Sequence, residues 1–371
     1  MKVAIVGTVG VPAQYGGFET LAENLVIRLS DVDFIVYCSS KNASVIPFEY
    51  ENTERVFWRI SANGISSILY DLLSIFHSLT RGVDAILILG VSGAIAIPIV
   101  RAICPNVQLV TNIDGIEWKR EKWGRVARVV LRSMEFFAVR FSNIVVSDNQ
   151  GISDYVRDKY SRESHTIAYG GDQIFQRPNT EGPPIFAGIP DVPFALSICR
   201  IERENNVSMI LSAFAESNVH LVFIGNWKST EYGRSLLRKY KAYGKMSLID
   251  PIYDLGCLLE YRQRCCMYVH GHSAGGTNPS LVEAMHVGKE ILAFNCLYNK
   301  YTLNGFGSFF STAEELKKLL TNASPEQIVD FKMQQYAQRA YSWYSISQSY
   351  RRILMRDNSA KEKDQSSTSD C

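Results

Sequence analysis

Short apolar runs alternate with segments of helical period twice along this chain, and a proline-rich break separates the two series. Strands that alternate with helices pair in parallel, and helices cover both faces of the sheet they form. The first series opens with the strand Lys2–Val6, the glycine-rich loop Gly7–Gly17 and a helical pattern over Phe18–Leu29. Further strands are predicted at Asp33–Tyr37, Asp84–Leu89, Val107–Asn112 and Asn143–Ser147. Helices are predicted over Lys119–Arg140 and from Asp148 or Gln150 to Tyr160. From Arg177 to Pro193 prolines and glycines accumulate and periodicity stops, which marks a linker and a domain boundary. The second series has strands at Phe194–Cys199, His220–Ile224, Met246–Leu248, Cys265–Val269 and Glu290–Phe294. Its helices are predicted over Val207–Glu216, Tyr232–Tyr243, Leu255–Arg264, Ala313–Leu320 and Pro325–Met355. The expected architecture is α/β: two doubly wound parallel-sheet, Rossmann-like domains, with ligands at the strand C-termini facing a shared cleft.

Composition narrows the function classes. The chain is 46% apolar and 20% charged, as soluble globular proteins are, and a net charge of +2 argues against a general nucleic-acid binder. Its cysteines form no Cys-x-x-Cys pair and sit mostly in apolar runs, so buried thiols in a reducing cytoplasm are expected and a zinc site is not. Met1-Lys2 leads straight into a strand, so no signal peptide is expected. Ala85–Val100 lacks charge but is shorter than the ~20 residues of a spanning helix. Gly90-Val91-Ser92-Gly93 interrupts it, so it reads as a buried strand, a turn and a buried helix. The polar stretch 357–371 lacks apolar anchors and is expected to be disordered.

The richest stretch is His270–Gly288. A strand leads into a loop containing Gly275 and Gly276, then into a helix with both ends marked: Asn278 as N-cap, Pro279 at the first helical position, Gly288 just past the end. Free backbone N–H groups and the helix dipole make such a mouth a site for an anion. Glu283, one turn inside the helix, would repel phosphate but accept hydrogen bonds from sugar hydroxyls beside it. A phosphate joined to a sugar fits both features. An ordinary βα turn fits the glycines alone.

Other loops carry further candidates. The Gly7–Gly17 loop lacks the Gly-x-Gly-x-x-Gly spacing, and Cys38-Ser39-Ser40 supplies no acid for an NAD ribose, so a dehydrogenase is disfavoured. Glu19 in the next helical turn either complements the helix dipole or meets an incoming hydroxyl. Asp114 follows a strand, where such folds place chemistry, although turns favour Asp as well. Arg200 also follows a strand, where a guanidinium can face a diphosphate. Between Lys119 and Arg132 basic residues dominate, with Trp118 and Trp123 at the start. Arg125, Arg128 and Arg132 share one face, while Val126, Val129 and Val130 point elsewhere. That pattern suits either an anionic membrane surface or a solvated helix face.

With these motifs in view, the second half resembles the C-terminal domain of glycosyltransferase family 4. The carrying residues are Cys199-Arg200-Ile201, Glu204-Asn205-Asn206 and Asn278-Pro279-Ser280-Leu281-Val282-Glu283-Ala284-Met285. The first half resembles a branch of bacterial rhamnosyltransferases that build surface polysaccharides. There the motifs are the string from Gly7 through Tyr15-Gly16-Gly17-Phe18-Glu19-Thr20, Asn112 through Asp114-Gly115 to Arg120, and Tyr169-Gly170-Gly171-Asp172. The resemblance covers roughly residues 1–350.

The resemblance implies a GT-B fold with an acceptor-side domain over residues 1–175, a linker over 176–193, a nucleotide-sugar domain over 194–338 and a C-terminal helix over 339–356 crossing back to the first domain. It implies retaining, metal-independent transfer without a cofactor. The donor would be a nucleoside diphosphate sugar, with dTDP-L-rhamnose expected. The acceptor would be a saccharide on a polyprenyl diphosphate, in O-antigen or capsule synthesis. The enzyme would be cytoplasmic and peripheral on the inner face of the cytoplasmic membrane. Arg200 would hold the diphosphate and Glu283 the ribose, and Gly16 and Gly17 would approach the reacting sugar and phosphate. Gly276, Thr277, Asn278 and Ser280 complete the donor loop.

Two positions depart from the wider family. A second Glu becomes Gly275, and a Lys beside the Arg becomes Asn205. Arg203 is expected to supply charge, and His272, Thr277 or Asn278 hydroxyl contacts. Asp114 and Glu19 are the candidate catalytic residues. Trp118, Lys119, Arg120, Lys122 and Arg125 are the candidate acceptor and membrane contacts. Two alternatives stay open: a nucleotide-sugar epimerase of GT-B form, and a non-catalytic sugar-nucleotide-binding subunit.

Overall fold

The computed structural model describes residues 1–13, 16–41, 50–120, 123–175, 189–322 and 328–355. Lys122, Pro325, the stretch 357–371 and the linker as far as residue 188 lie outside the described residues. The chain divides into two compact units, Met1–Ala168 with the stretch from Tyr344 onward, and Tyr169–Trp343.

The first unit runs β1 (Lys2–Val6), α1 (Gly17–Arg28), β2 (Asp33–Ser39), β3 (Thr53–Trp58), α2 (Ser66–Thr80), β4 (Ala85–Leu89), α3 (Ile97–Ile103), β5 (Gln108–Asn112), α4 (Arg125–Phe141), β6 (Ile144–Ser147), α5 (Gln150–Tyr160) and β7 (His165–Thr166). These strands form a seven-stranded sheet in the order β3-β2-β1-β4-β5-β6-β7. Every pairing in it is parallel. β1 and β4 lie at the centre, and Val3 to Val6 and Ala85 to Leu89 are buried, as strands covered on both faces must be. Right-handed crossovers fix the layers. Connections advancing toward β7 put α2, α3, α4 and α5 on one face, and the return from β1 to β2 puts α1 on the other.

The second unit runs β8 (Phe194–Ile198), α6 (Val207–Ala215), β9 (His220–Ile224), α7 (Glu231–Tyr240), β10 (Met246–Ile249), α8 (Leu255–Arg264), β11 (Met267–His270), α9 (Pro279–Val287), β12 (Glu290–Phe294), α10 (Leu297–Leu303), β13 (Ser308–Phe310), α11 (Ala313–Asn322) and α12 (Phe331–Ala340). Its six strands, again all parallel, take the order β10-β9-β8-β11-β12-β13. One core packs Val207, Ile210, Leu211 and Phe214 of α6 against Leu221 and Phe223 of β9, with Leu316 and Leu320 of α11 closing over it.

The final helix, α13 (Trp343–Leu354), returns to the first unit. Asn112 Nδ2 donates to the Tyr350 hydroxyl at 2.8 Å, and Gln108 Nε2 donates to the Ile353 carbonyl. Gln108 and Asn112 are four apart on β5 and so share a sheet face. Arg351 pairs with Asp31 just beyond α1 at 2.6 Å, so α13 and α1 cover that same face.

Three expectations need correction. The helix predicted over Lys119–Arg140 begins only at Arg125, because Gly124 before it is extended (φ −71°, ψ 168°). A separate 3-10 turn occupies Glu117–Lys119. The helix predicted over Pro325–Met355 is two helices broken at Tyr341 and Ser342. Tyr341 is fixed there: its hydroxyl donates to the Thr302 carbonyl at 2.9 Å, and its own carbonyl accepts from Gly171 N at 2.9 Å. Lastly, Ala85–Val100 does give a strand and a helix start, but the helix is not buried throughout: Ile99 is 50% exposed. β3, α2, α10 and β13 lie in stretches that the alternation reading passes over. No helix of the described residues is long and apolar enough to cross a membrane.

Candidate active site

In the second unit, β8 and β11 lie side by side, so the loops after them share one edge of the sheet. α9 begins as its sequence dictates. The Asn278 side chain accepts from Ser280 N at 3.0 Å, Pro279 occupies the first turn, and Gly288 closes the helix in the left-handed region (φ 73°). Thr277 is buried, while Gly276 and Ser280 are half-buried. The free first-turn amides expected of this mouth are not found: Pro279 has no N–H, and the Ser280, Leu281 and Val282 amides donate to Asn278, so what the mouth offers an anion is the positive end of the helix dipole.

The loop carrying Arg200 is fastened to this glycine-rich loop. Asn206 Nδ2 donates to the Gly271 carbonyl at 2.9 Å. Ser273 donates to the Glu204 carbonyl through its N at 2.9 Å and its hydroxyl at 2.8 Å. The approach is so close that a Cβ on Gly271 would lie 2.2 Å from the Asn205 carbonyl oxygen. Asn205 is buried and donates to the Arg200 carbonyl at 2.7 Å, so it braces the loop from within. The Arg200 guanidinium stays 43% exposed, 3.5 Å from Glu202. Arg203 is exposed, with its guanidinium 4.8 Å from the centre of the Tyr232 ring. Gly275 has φ 101°, a region that L side chains avoid, which explains why this loop carries no glutamate there.

Glu283 is tied more tightly than its sequence position suggests. Its Oε1 accepts from Gln173 Nε2 at 2.7 Å and its Oε2 from Arg262 Nη2. The Gln173 Oε1 in turn accepts from Trp343 Nε1 at 2.7 Å, and Asp172 Oδ1 accepts from Trp343 N at 2.7 Å. Burial raises the Glu283 pKa, and the Arg262 guanidinium opposes that shift. Arg262 Nε and Nη1 are buried and find no partner among the described residues. Sequence reasoning missed both Arg262 and Gln173. Gln173 directly follows the Tyr169–Asp172 motif, whereas Arg262 sits among Glu260, Gln263 and Arg264 at the polar end of its helix and carries no signal of its own. Arg200 and Glu283 make no hydrogen bond or ion pair with each other among the described residues.

His270 and His272 stack with ring centres 4.4 Å apart, and Tyr268 stacks on His270 at 6.0 Å. Burial drives the His270 pKa well below its usual range, and the neighbouring His272 adds to the shift. Neither ring nitrogen of His270 has a partner among the described residues.

In the first unit, Glu19 is buried in the first turn of α1, two residues after Gly17. Asp114 follows β5, which β4 separates from β1. Asp114 is a non-glycine residue at φ 56°, and its backbone N donates to Asn112 Oδ1 at 2.9 Å. Backbone strain of this kind clusters at functional positions. Arg120 lies 3.9 Å from Asp114 and 2.7 Å from Glu117. Trp118 donates through Nε1 to Glu135 at 3.0 Å, and Lys119, Arg132 and Lys159 surround its ring. Trp118 and Arg120 are therefore engaged within the fold, whereas Lys119 and Arg125 are exposed. Among the described residues no group of three or more His, Cys, Asp or Glu side chains is placed to hold a metal. The described cysteines are all free thiols.

A family profile described as a domain of unknown function (DUF1972) matches residues 1–172. No curated protein matches the chain. Among solved structures, sucrose-phosphate synthase from Thermosynechococcus elongatus is similar at 14% identity and TM-score 0.79, over 96% of this chain and 100% of that one. HepE of Anabaena in complex with UDP-glucose is similar at 16% identity and TM-score 0.67, over 96% and 100%. AviGT4, a glycosyltransferase involved in avilamycin A biosynthesis, is similar at 13% identity and TM-score 0.59, over 96% and 97%. At these identities the likeness is one of fold: two parallel-sheet α/β units of GT-B type.

Proposed function

We propose that this protein is a retaining hexosyltransferase, a rhamnosyltransferase of glycosyltransferase family 4. It moves L-rhamnose from dTDP-L-rhamnose onto a polyprenyl-diphosphate-linked saccharide in O-antigen or capsule synthesis. It works at the inner face of the cytoplasmic membrane. The observation that carries this reading is the fastening of the Arg200 loop to the mouth of α9. A cationic side chain and the positive end of a helix dipole are thereby held at one sheet edge.

In the reaction the bond between the anomeric carbon and the phosphate oxygen breaks. A bond to an acceptor oxygen forms on the same face of the sugar. Negative charge gathers on the departing diphosphate, and fixed donors aimed at that charge lower the barrier. Arg200 supplies the donor, and the positive end of α9, at the loop from Gly276 to Ser280, adds fixed charge, without a metal or cofactor. Glu283 receives the ribose hydroxyls. Its carboxylate offers about four acceptor sites, and Gln173 and Arg262 occupy two of them. His272 and Thr277 contact the sugar where the wider family uses the glutamate replaced by Gly275. Arg203 adds positive charge beside the diphosphate. Asp114 orients the acceptor hydroxyl, with Glu19 as a second carboxylate of the first unit. Gly16 and Gly17 keep the backbone open beside Glu19.

A binding-only subunit draws support from Gly275, and an epimerase would share the donor loop. A thermal-shift screen against dTDP-, UDP- and GDP-sugars tests the donor assignment, because a ligand of the native state raises the melting temperature. The reading expects the largest rise with dTDP-L-rhamnose. No rise with any of the three classes contradicts it.

A further inference from the structure

The first unit leaves an apolar surface bare that the candidate site does not use. α2 exposes Ile65 just before its first turn, then Leu69, Leu73 and Phe76, at helical spacing. The 3-10 turn at Ala94–Ala96 and α3 after it continue the pattern with Ile95, Ile99 and Ile103. α4 adds Val126, Val129, Val130 and Phe136, with Val126 at 79% exposure. These three helices and the turns leading into them expose as many large hydrophobics as all other described residues together. They lie in one layer, because all three belong to crossovers advancing toward β7. They also touch. Gly93, at the start of the α3 segment, sits against Asp71 and Ile75 of α2, and Arg101 of α3 donates to the Phe141 carbonyl of α4 at 2.9 Å.

The exposed charge on these three helices has one sign. Arg101, Arg125, Arg128, Arg132 and Arg140 are exposed, whereas the acidic residues of the three helices, Asp71 and Glu135, are buried. On α4 the stripe of Arg125, Arg128 and Arg132 runs beside the exposed valines. The same helix lines a cavity of about 420 Å³ with Val129, Arg132, Ser133, Phe136 and Phe137. Apolar side chains edged by guanidinium groups, without an exposed carboxylate, match a bilayer interface with anionic headgroups.

We propose that the outer faces of α2, α3 and α4 together form a docking surface for an anionic lipid bilayer. The valines, isoleucines and Phe136 enter the acyl boundary, and the arginines meet the phosphates. This deepens the membrane part of the function proposed above and moves its centre from Trp118 and Arg120 to this layer. Vesicle binding needs no donor, so its failure and the failure of sugar transfer are separate results.

The test is sedimentation of the full chain with phosphatidylcholine vesicles, with and without phosphatidylglycerol. Binding is expected only when phosphatidylglycerol is present, and is expected to weaken as salt rises. Ile99→Glu/Ile103→Glu and Arg125→Glu/Arg128→Glu should each lower vesicle affinity about tenfold or more. Their melting temperatures should stay unchanged, because these side chains are exposed. Wild-type affinity in both variants would overturn the proposal, as would no binding by the wild-type chain. The remaining occupant is a second copy of the chain. A dimer in light scattering that Ile99→Glu/Ile103→Glu turns into a monomer, with no vesicle binding, would also overturn it.

Discussion

Arg262 and Glu283 form an ion pair inside the second unit, with side-chain exposures of 2% and 14%. Removing one partner of such a pair strands the other charge and costs about 3–5 kcal/mol. Arg262→Met and Glu283→Leu should each destabilise the protein on that scale in urea unfolding. The double variant should lose clearly less than the sum of the two. Additive losses would show that the pair is not coupled.

Arg200 stands in contrast, because its side chain is 43% exposed and its loop is braced by backbone contacts and Asn205. Arg200→Ala should leave the melting temperature unchanged. It should lower transfer about a hundredfold, the scale for losing one fixed donor to developing charge. Full activity in this variant removes Arg200 from the site. Glu283→Ala would confound stability with function through Arg262, so Glu283→Gln is the cleaner probe of that position.

The conformation of Gly275 predicts what restoring a side chain would do. Nothing lies within 4 Å of a Cβ built there, so only its φ of 101° resists one. Gly275→Ala should cost about 1–2 kcal/mol through backbone strain. Gly244→Ala, where a Cβ is equally free and φ is ordinary, should cost nothing comparable. Equal urea midpoints for the two variants would contradict the strain. Gly275→Glu should then lower stability without raising transfer.

His270 makes stability depend on pH. Burial keeps its folded pKa well below the ordinary value of 6.5, and His286 is shifted the same way. Below about pH 6.5 the unfolded chain takes up protons that the fold refuses, so stability falls as pH falls. The slope approaches about 1.4 kcal/mol per pH unit for each such group. His270→Phe keeps a stacked ring without the titration. Its melting temperature should fall less than wild type between about pH 7 and about pH 5.5. Identical slopes would contradict this.

Local signals were legible in the sequence and long-range ones were not. Asn278, Pro279 and Gly288 announced both ends of α9, because capping depends on residues within one turn. Central strands such as β1 and β4 read as unbroken apolar runs. The partners of Glu283 were not readable, since Gln173 lies 110 positions away and Arg262 lies 21 away. The Ala85–Val100 run read as core because hydropathy gives no direction, and Ile95 and Ile99 face outward. The break at Tyr341 is set by Thr302 and Gly171, which no local pattern around residue 341 reveals.

The most direct measurement of the central claim is incubation of the protein with labelled dTDP-L-rhamnose and a membrane lipid extract. Label is predicted to move into the lipid fraction with wild type and to stay on the nucleotide with Arg200→Ala. Intact donor with wild type, or label found only on an altered free nucleotide sugar, would contradict the account.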